Sequence, residues 1–367
     1  MKQYKIVTIL GTRPEIIKLS PLIPLLDRAF SHRLIHTGQH YSAEMDAVFF
    51  KELDLRKPDF NLNVGSGTQA EQTAKMIVEI ESILAAEKPH IVLVQGDTNT
   101  TLSGALAAAK LGIRIAHVEA GCRSFDKSMP EEINRIVTDH CSALLFAPDR
   151  VAYKNLVAEG ISEEKIHLAG STVADACMRS MKLAGKSEIM KTLRLEKGNF
   201  ILVTVHRAGN TDDIEKLRGI VSALAEISEK TEIVFPVHPR TKKALEENNI
   251  ELSKNIKAIN PAGYLDFLNL LSNARFAMTD SGGIQEEAAL LNTPCLILRN
   301  ETEWSRLVEE GKNMLVGDKK EGIVKGAMSL LESEDALDRM RTAKASFDFG
   351  ASKKITETLE ADAQQQN

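Results

Sequence analysis

The sequence predicts an α/β protein with open parallel sheets, folded as two doubly wound, Rossmann-like domains of similar size with a cleft between them. Three observations lead there. Apolar runs of strand length recur along the chain, the runs are nearly all apolar rather than alternating, and a helix-like segment follows each. Strands covered on both faces by helices read as continuous apolar runs. Strand alternating with helix throughout is the pattern of a parallel α/β sheet. At 367 residues the chain has room for about two domains, and a hydrophobic content of 43% supplies their cores.

In order, the runs are YKIVTIL (4–10), HIVLVQ (90–95), IRIAHV (113–118), ALLFA (143–147) and IHLAG (166–170), then FILVTV (200–205), EIVFPV (232–237), IKAIN (256–260), RFAMT (275–279) and PCLIL (294–298). Between them, TLSGALAAAKLG (101–112) and DDIEKLRGIVSALAEISE (212–229) have helical spacing. The series pauses at DACMRSMKLAGKSEIMKTLRLEKG (175–198), which is polar and helix-like with no strand. The domain junction is placed near its start, giving an N-terminal domain over 1–172 and a C-terminal domain over 173–346.

Lys and Arg number 46 against 51 Asp and Glu, a net charge of −5. That balance gives no reason to expect a nucleic-acid or anionic-membrane partner, although a small anion needs only a few placed cations. The four cysteines are far apart and form no C-x-x-C pair, as expected of a reduced, cytoplasmic protein. The first apolar run stops at Arg13 and Glu15, too soon for a secretory signal, and no apolar stretch approaches the ~18 residues of a membrane span.

Ligands of open α/β sheets bind beyond the carboxyl ends of the strands, so the residues just after each run carry the information. The first run ends in GTRPEIIK (11–18). Gly11 allows a tight turn, and Pro14 and Glu15 suit the first turn of a helix. Arg13 and Lys18 then lie near a helix N-terminus, either as an anion site or as solvated cations beside a cap. No P-loop occurs, and this first turn lacks the glycines of a dinucleotide fingerprint. A loose G-x-G-x-x-A at Gly65, Gly67 and Ala70 reads as a flexible loop. In QGDTNTT (95–101), Asp97 is either part of a cap for a helix starting near Leu102 or an acid/base group at a strand end. Glu119 directly follows another strand. Met129-Pro130-Glu131-Glu132 reads as a helix start, where the dipole favours both glutamates, with Arg135 as their i, i+3 or i+4 neighbour in a surface pair. Arg123, Asp126 and Lys127 shape or cover the intervening loop. A zinc site at His117-Val118-Glu119 fails, because Pro294-Cys295 lacks the second cysteine of a P-C-x-x-C partner, and no metal is expected.

In the second half, VTVHRAGNTDD (203–213) puts His206 and Arg207 at a strand end, and FPVHPR (235–240) does the same for His238 and Arg240. A histidine there can neutralise a leaving phosphate or transfer a proton near neutral pH. The strongest local signal is TDSGGIQEEA (279–288). Ser281, Gly282 and Gly283 open a helix whose N–H groups a phosphate can approach. Glu286 and Glu287, one turn in, suit the two hydroxyls of a ribose. Together they suggest a nucleoside diphosphate in the second domain.

Taken in order, GTRPEIIK, QGDTNTT, HVEAGCRSFD with MPEEINR, the HR after VTV, PVHP and TDSGGIQEEA resemble the non-hydrolysing UDP-N-acetylglucosamine 2-epimerase family, over residues 11 to 288. The resemblance implies a glycosyltransferase-B-like fold whose final helix, here 347–367, crosses back to the N-terminal domain. It implies reversible inversion at C2 of UDP-GlcNAc to UDP-ManNAc, by elimination of UDP and re-addition, for surface polysaccharide precursors. By motif position, Asp97, Glu119 and Glu131 are the acid/base carboxylates and His206 lies beside the pyrophosphate. Arg13 and Lys18 match cations near phosphate and sugar, Ser281, Gly282 and Gly283 the phosphate loop, and Glu287 the ribose carboxylate. Tyr264 or Phe267 would lie near the uracil. No cofactor is implied, the partner is a UDP-N-acetylhexosamine, and a homodimer is the family expectation.

Several positions depart from the family. It commonly reads T-E-R-P where this chain reads ETEWSRL, with Trp304 at the place of an Arg that contacts ligand. A T-E-W variant resembles the branch acting on UDP-2,3-diacetamido-2,3-dideoxyglucuronate, so both substrates stay open. Gln39, Arg207 and His238 match parts of a second, activating UDP-GlcNAc site, but Ala208-Gly209 and Ser42 depart from it. The hydrolysing branch usually reads Arg-Ala-acid-Tyr in the first loop, which Arg13-Pro14-Glu15 does not. A glycosyltransferase of the same fold and a non-catalytic UDP-sugar sensor are the rival readings. The trio of strand-end carboxylates weighs against the first of these.

Overall fold

The structure is a computed structural model and describes residues 4–39, 49–302 and 304–366. It divides into two compact units, one formed by Met1–Ala176 with Phe347–Asn367, the other by Cys177–Ser346.

The first unit is built on a seven-stranded sheet of β1 (Lys5–Leu10), β2 (Ser31–His36), β3 (Phe60–Asn61), β4 (Ile91–Gln95), β5 (Arg114–Val118), β6 (Leu144–Ala147) and β7 (Ile166–Leu168). Every neighbouring pair is parallel, in the order β3-β2-β1-β4-β5-β6-β7. The second unit has six parallel strands: β8 (Phe200–Thr204), β9 (Glu232–Pro236), β10 (Ile256–Ile259), β11 (Phe276–Thr279), β12 (Cys295–Ile297) and β13 (Asn313–Leu315), ordered β10-β9-β8-β11-β12-β13. In each sheet the order reverses once, between β1 and β4 and between β8 and β11. Those are the topological switch points at whose carboxyl ends ligands bind.

All ten apolar runs are strands, and burial on both faces explains their composition. In β8, Ile201 and Val203 pack with Leu217, Ile220 and Leu224 of the helix Ile214–Ile227. Phe200 and Leu202 point the other way, onto Leu270 and Leu271 of the helix Tyr264–Asn273. Successive side chains alternate faces, and here both faces are core. In the first unit, Val7, Ile9, Val92 and Val94 meet Met76, Ile80 and Leu84, spaced one turn apart on the helix Gln69–Glu87.

Three strands carry no apolar signature. β13 has three residues and β3 two. β2, SHRLIH, is polar, yet His32 and His36 are buried in it. His32 is tolerated because Asp27 accepts at 2.6 Å and Thr8 Oγ1 lies 2.9 Å away. One helix start also differs from the sequence reading. The helix after β4 begins at Asn99, not near Leu102, because the Thr98 side chain accepts from Thr101 N and caps it. The Gly65-x-Gly67 stretch leads into a capping box, in which Thr68 and Glu71 satisfy each other's backbone N–H at the head of Gln69–Glu87.

The terminal helix Ala351–Gln365 belongs to the first unit. Asp175 accepts from Gly350 N and Ser352 N at its start, at 2.8 and 2.7 Å. Near its end Asp362 receives both Arg114 Nη atoms, at 2.7 and 2.6 Å, and the Tyr4 hydroxyl at 3.0 Å. Burial, with Asp362 beside it, pushes the Tyr4 phenol up to about 12, so it stays a donor at neutral pH. No helix among the described residues is long and apolar enough to cross a membrane. Asp362→Ala would strand three donor atoms in a part-buried clamp. It should lower the stability of the first unit by about 2 kcal/mol in urea denaturation, with Asp362→Asn milder.

Candidate active site

At the switch point of the first unit, the loop after β1 and the helix after β4 are joined by one carboxylate. Glu15 is 2% exposed. Its Oε2 accepts from Gly11 N and Thr12 N at 2.8 Å and from Thr12 Oγ1 at 3.0 Å. Its Oε1 accepts from Thr98 Oγ1 at 2.6 Å and Thr101 Oγ1 at 3.2 Å. Burial pushes this carboxyl above its ordinary range, against the pull of those donors. Gly11 is required by packing rather than by a turn, since a Cβ there would lie 1.8 Å from Thr37 Oγ1 and 2.4 Å from Thr100 Oγ1. The helix Arg13–Leu19 follows, with the Arg13 guanidinium 4.8 Å above the Phe49 ring.

Lys18, from the same helix, reaches the end of β5. Its Nζ donates to both oxygens of Glu119, at 2.8 and 2.7 Å, and Gln95 Nε2 donates to Oε2. Glu119 has φ +70, a left-handed backbone that costs a residue of this kind on the order of 1–3 kcal/mol. The conformation is held by two N–H groups, those of Glu119 and Ala120, which both donate to Phe146 O at 3.1 Å. Asp97, after β4, pairs with Arg135 Nη2, and its carbonyl accepts from Asn134 Nδ2 at 2.9 Å. Two of the expected residues, Asp97 and Glu119, thus follow adjacent strands of one sheet, and a third, Lys18, reaches Glu119 from the helix after β1, each already bonded.

The acids of the Pro130–Cys141 helix separate. Glu131 is exposed and makes no hydrogen bond or ion pair among the described residues. Glu132 is not the surface acid the sequence suggests. It is 1% exposed and accepts from Ser124 N, Ser124 Oγ and Phe125 N at 2.9, 3.0 and 2.9 Å, besides Arg135 Nη1 at 3.1 Å. A helix start offers few buried positions, but here the 122–128 loop folds over the helix and needs an acceptor for its backbone. Arg135 accordingly is a half-buried link between Glu132 and Asp97. Arg123 is likewise interior, paired with Asp139 and Glu159 at 2.7 Å each, while Asp126 and Lys127 are exposed.

In the second unit a buried aspartate plays the part that Glu15 plays in the first. Asp280, after β11, is fully buried and accepts from His206 N (3.1 and 3.0 Å), Arg207 N (3.0 Å) and Asn210 Nδ2 (3.1 Å). It fixes the loop after β8. The His206 ring lies 5.2 Å from that of His238, which heads the helix Pro239–Glu247 and accepts from Arg240 N at 3.2 Å. Arg240 itself turns to Asp212 on the surface. Ser281 stands at the head of the helix Gly282–Leu290, whose first turn is open: a Cβ at Gly283 would meet no atom within 4 Å. Glu287 accepts from the Tyr264 hydroxyl at 2.9 Å. Tyr264 is buried, and Phe267 packs into the apolar core with Leu270 and Leu271. Trp304 N donates to Thr302 Oγ1 at 3.1 Å, and Thr302 donates to the buried Gln285 at 2.6 Å, which ties the Trp304 segment to the same helix. Ser42 lies outside the described residues.

The sequence reading missed Glu15, Gln95, Asp280 and Gln285 as parts of the site. Two had a signal. Thr12-x-x-Glu15 is a capping-box pattern, and Asp280 directly follows an apolar run, as Glu119 does.

The family model for UDP-N-acetylglucosamine 2-epimerase matches residues 25–360. The chain belongs to the UDP-N-acetylglucosamine 2-epimerase family. The UDP-N-acetylglucosamine 2-epimerase of Methanocaldococcus jannaschii is 50% identical over 358 residues, 95% of this chain and 96% of that one. A crystal structure of the M. jannaschii UDP-GlcNAc 2-epimerase in complex with UDP-GlcNAc and UDP superposes with a TM-score of 0.85 at 49% identity, covering 97% of this chain and 99% of that one. The UDP-2,3-diacetamido-2,3-dideoxy-D-glucuronate 2-epimerase of Pseudomonas aeruginosa is 44% identical over 89% of this chain and 92% of its own. The fold is the glycosyltransferase-B-like one of this epimerase family, and the chain is an isomerase acting on carbohydrates.

Two acids of the site make stability depend on pH. Burial raises Glu132 and Asp139, but for Glu132 the Ser124 and Phe125 donors, and for Asp139 the His117 and Arg123 charges, outweigh it and hold both below the ordinary carboxylate range. Their contribution is full above the unfolded value, about pH 4, and is lost as pH falls through their lowered folded values. Glu15, raised by burial, works in the opposite sense. Urea midpoints should fall as the pH drops below about 4, and Glu132→Gln should flatten that fall.

Proposed function

We propose that this chain inverts C2 of the sugar in UDP-N-acetylglucosamine, reversibly and without hydrolysis, giving UDP-N-acetylmannosamine. The observation that carries this reading is near-full-length identity of about half with an epimerase whose crystal structure holds UDP-GlcNAc and UDP. The polar rims of the two units suit the two parts of that ligand. Carboxylates and cations crowd the strand ends of the first unit, and an open helix N-terminus with two histidines marks the second.

C2–H is not acidic, so its removal must accompany loss of a stabilised leaving group. In the proposed reaction a carboxylate takes the C2 proton while the C1–O bond breaks and its electron pair leaves with UDP, giving a glucal-type alkene. An oxygen of UDP then re-adds at C1, and a second acid delivers a proton to C2 from the opposite face. Glu119, Asp97 and Glu131 are the acid/base groups. The Lys18 ammonium orients Glu119 by donating to both of its oxygens. In the second unit Ser281, Gly282, Gly283, His206 and Arg207 receive the diphosphate and Glu287 the ribose, beside Tyr264; in the first unit Arg13 joins Lys18 as a ligand cation. Trp304 favours a second reading, the diacetamido-uronate epimerised by the P. aeruginosa relative.

Incubation with UDP-GlcNAc alone in D2O, followed by NMR at C2, should show deuterium incorporation and the manno epimer with no acceptor present. Exchange only with the diacetamido-uronate would transfer the assignment to that sugar, and exchange with neither would sink the epimerase reading. Glu131→Gln should cut exchange by roughly 10²–10⁴-fold while UDP affinity, followed by calorimetry, stays within a few-fold. Loss of UDP binding or of folding would make Glu131 structural instead.

A further inference from the structure

Behind the proposed acid/base carboxylates lies a second layer of charge, and one member of it touches both of their loops. His117 in β5 and Asp139 in the helix Pro130–Cys141 are both fully enclosed. His117 Nδ1 lies 2.7 Å from Asp139 Oδ1, and Nε2 lies 2.8 Å from the Gly96 carbonyl. A carbonyl oxygen only accepts, so Nε2 donates that bond. The other oxygen of Asp139 accepts from Gly121 N at 3.1 Å and pairs with Arg123 Nη2 at 2.7 Å.

The two backbone partners are informative. Gly96 immediately precedes Asp97, and Gly121 is two residues beyond Glu119. Gly96 has φ +75, and a residue of that freedom is a natural pivot. Its N–H donates to Val118 O at 3.0 Å and its carbonyl accepts from His117, so β5 holds both polar ends of the pivot. On the other side, Asp139 holds the turn that brings Glu119 into its left-handed conformation.

We propose that His117 is a positioning residue: its Nε2–H on the Gly96 carbonyl aims the Asp97 loop, and its pairing with Asp139 steadies the Gly121 turn behind Glu119. The proposal rests on the reading of the chain as a C2 epimerase. A displacement of about 1 Å at an acid/base group costs on the order of 10²-fold in rate, so one such bond is worth testing.

Glutamine and asparagine separate the two bonds, because a Gln amide nitrogen falls near the position of Nε2 and an Asn amide nitrogen near Nδ1. His117→Gln should therefore rescue the Gly96 bond and keep kcat for C2 exchange within about 3-fold of the parent, whereas His117→Asn should lower kcat by roughly 30-fold or more with KM and UDP affinity nearly unchanged. Both variants should lose similar thermal stability, since each leaves one buried partner, so a purely structural role would not split them. Equal rates in the two variants, high or low, overturn the proposal, as does a loss that follows thermal stability alone. If neither variant folds, the ring-nitrogen NMR spectrum of His117 in the intact enzyme decides: a hydrogen on Nε2 supports the arrangement, and a bare Nε2 overturns it. A parent enzyme without exchange would sink the epimerase reading instead, and the nitrogen spectrum, which needs no turnover, would still be decisive for the bonding.

Discussion

A carboxylate enclosed in protein is costly unless donors surround it, and Glu15 has donors on both oxygens from two different strand ends. That bond set is the constraint on which the first unit's site depends. The sheet reverses direction between β1 and β4, so the connections leaving these neighbours depart to opposite sides and nothing in the ladder itself keeps their tips together. Glu15 closes that gap. Arg13 and Lys18 stand on the same short helix as the carboxylate, and Asp97 is adjacent to Thr98, one of its donors. A group that never needs to meet a ligand thus sets where three candidate ligand contacts begin.

The second unit meets the same demand with a different residue and in the reverse direction. There the acid follows β11, the strand equivalent to β4, and reaches back to the loop after β8, the equivalent of β1. Both solutions use a carboxylate to gather backbone N–H groups that the parallel ladder leaves unpaired at its carboxyl edge. The sharing is of physics rather than of sequence, since the acid sits in a helix in one unit and in a strand-end turn in the other.

How much of this was legible follows from which forces write themselves into composition. Doubly covered strands must be apolar on both faces, so ten runs such as FILVTV could be read directly. SHRLIH could not, because its histidines are satisfied by Asp27 and Thr8, partners that only the fold brings near. At the site, Asp97, Glu119 and Ser281–Gly283 were visible because strand ends are where an α/β sheet binds ligands. Glu131 and Glu132 were not separable by pattern. Adjacent positions on a helix point about 100° apart, and which of them turns inward depends on the 122–128 loop closing over one side. Arg135 was misread for the same reason, since an i, i+3 spacing is equally that of a solvated pair and of an interior link.

The left-handed backbone of Glu119 has a further consequence. Glycine would relax that position, and asparagine would tolerate it better than glutamate does. Either would free the conformational energy now stored there while removing the carboxylate that Lys18 holds. Under the proposed mechanism the residue stands where durability and chemistry select for different amino acids. Laboratory evolution of this chain for heat resistance alone should drift toward glycine at 119, at the expense of the proposed acid/base carboxylate.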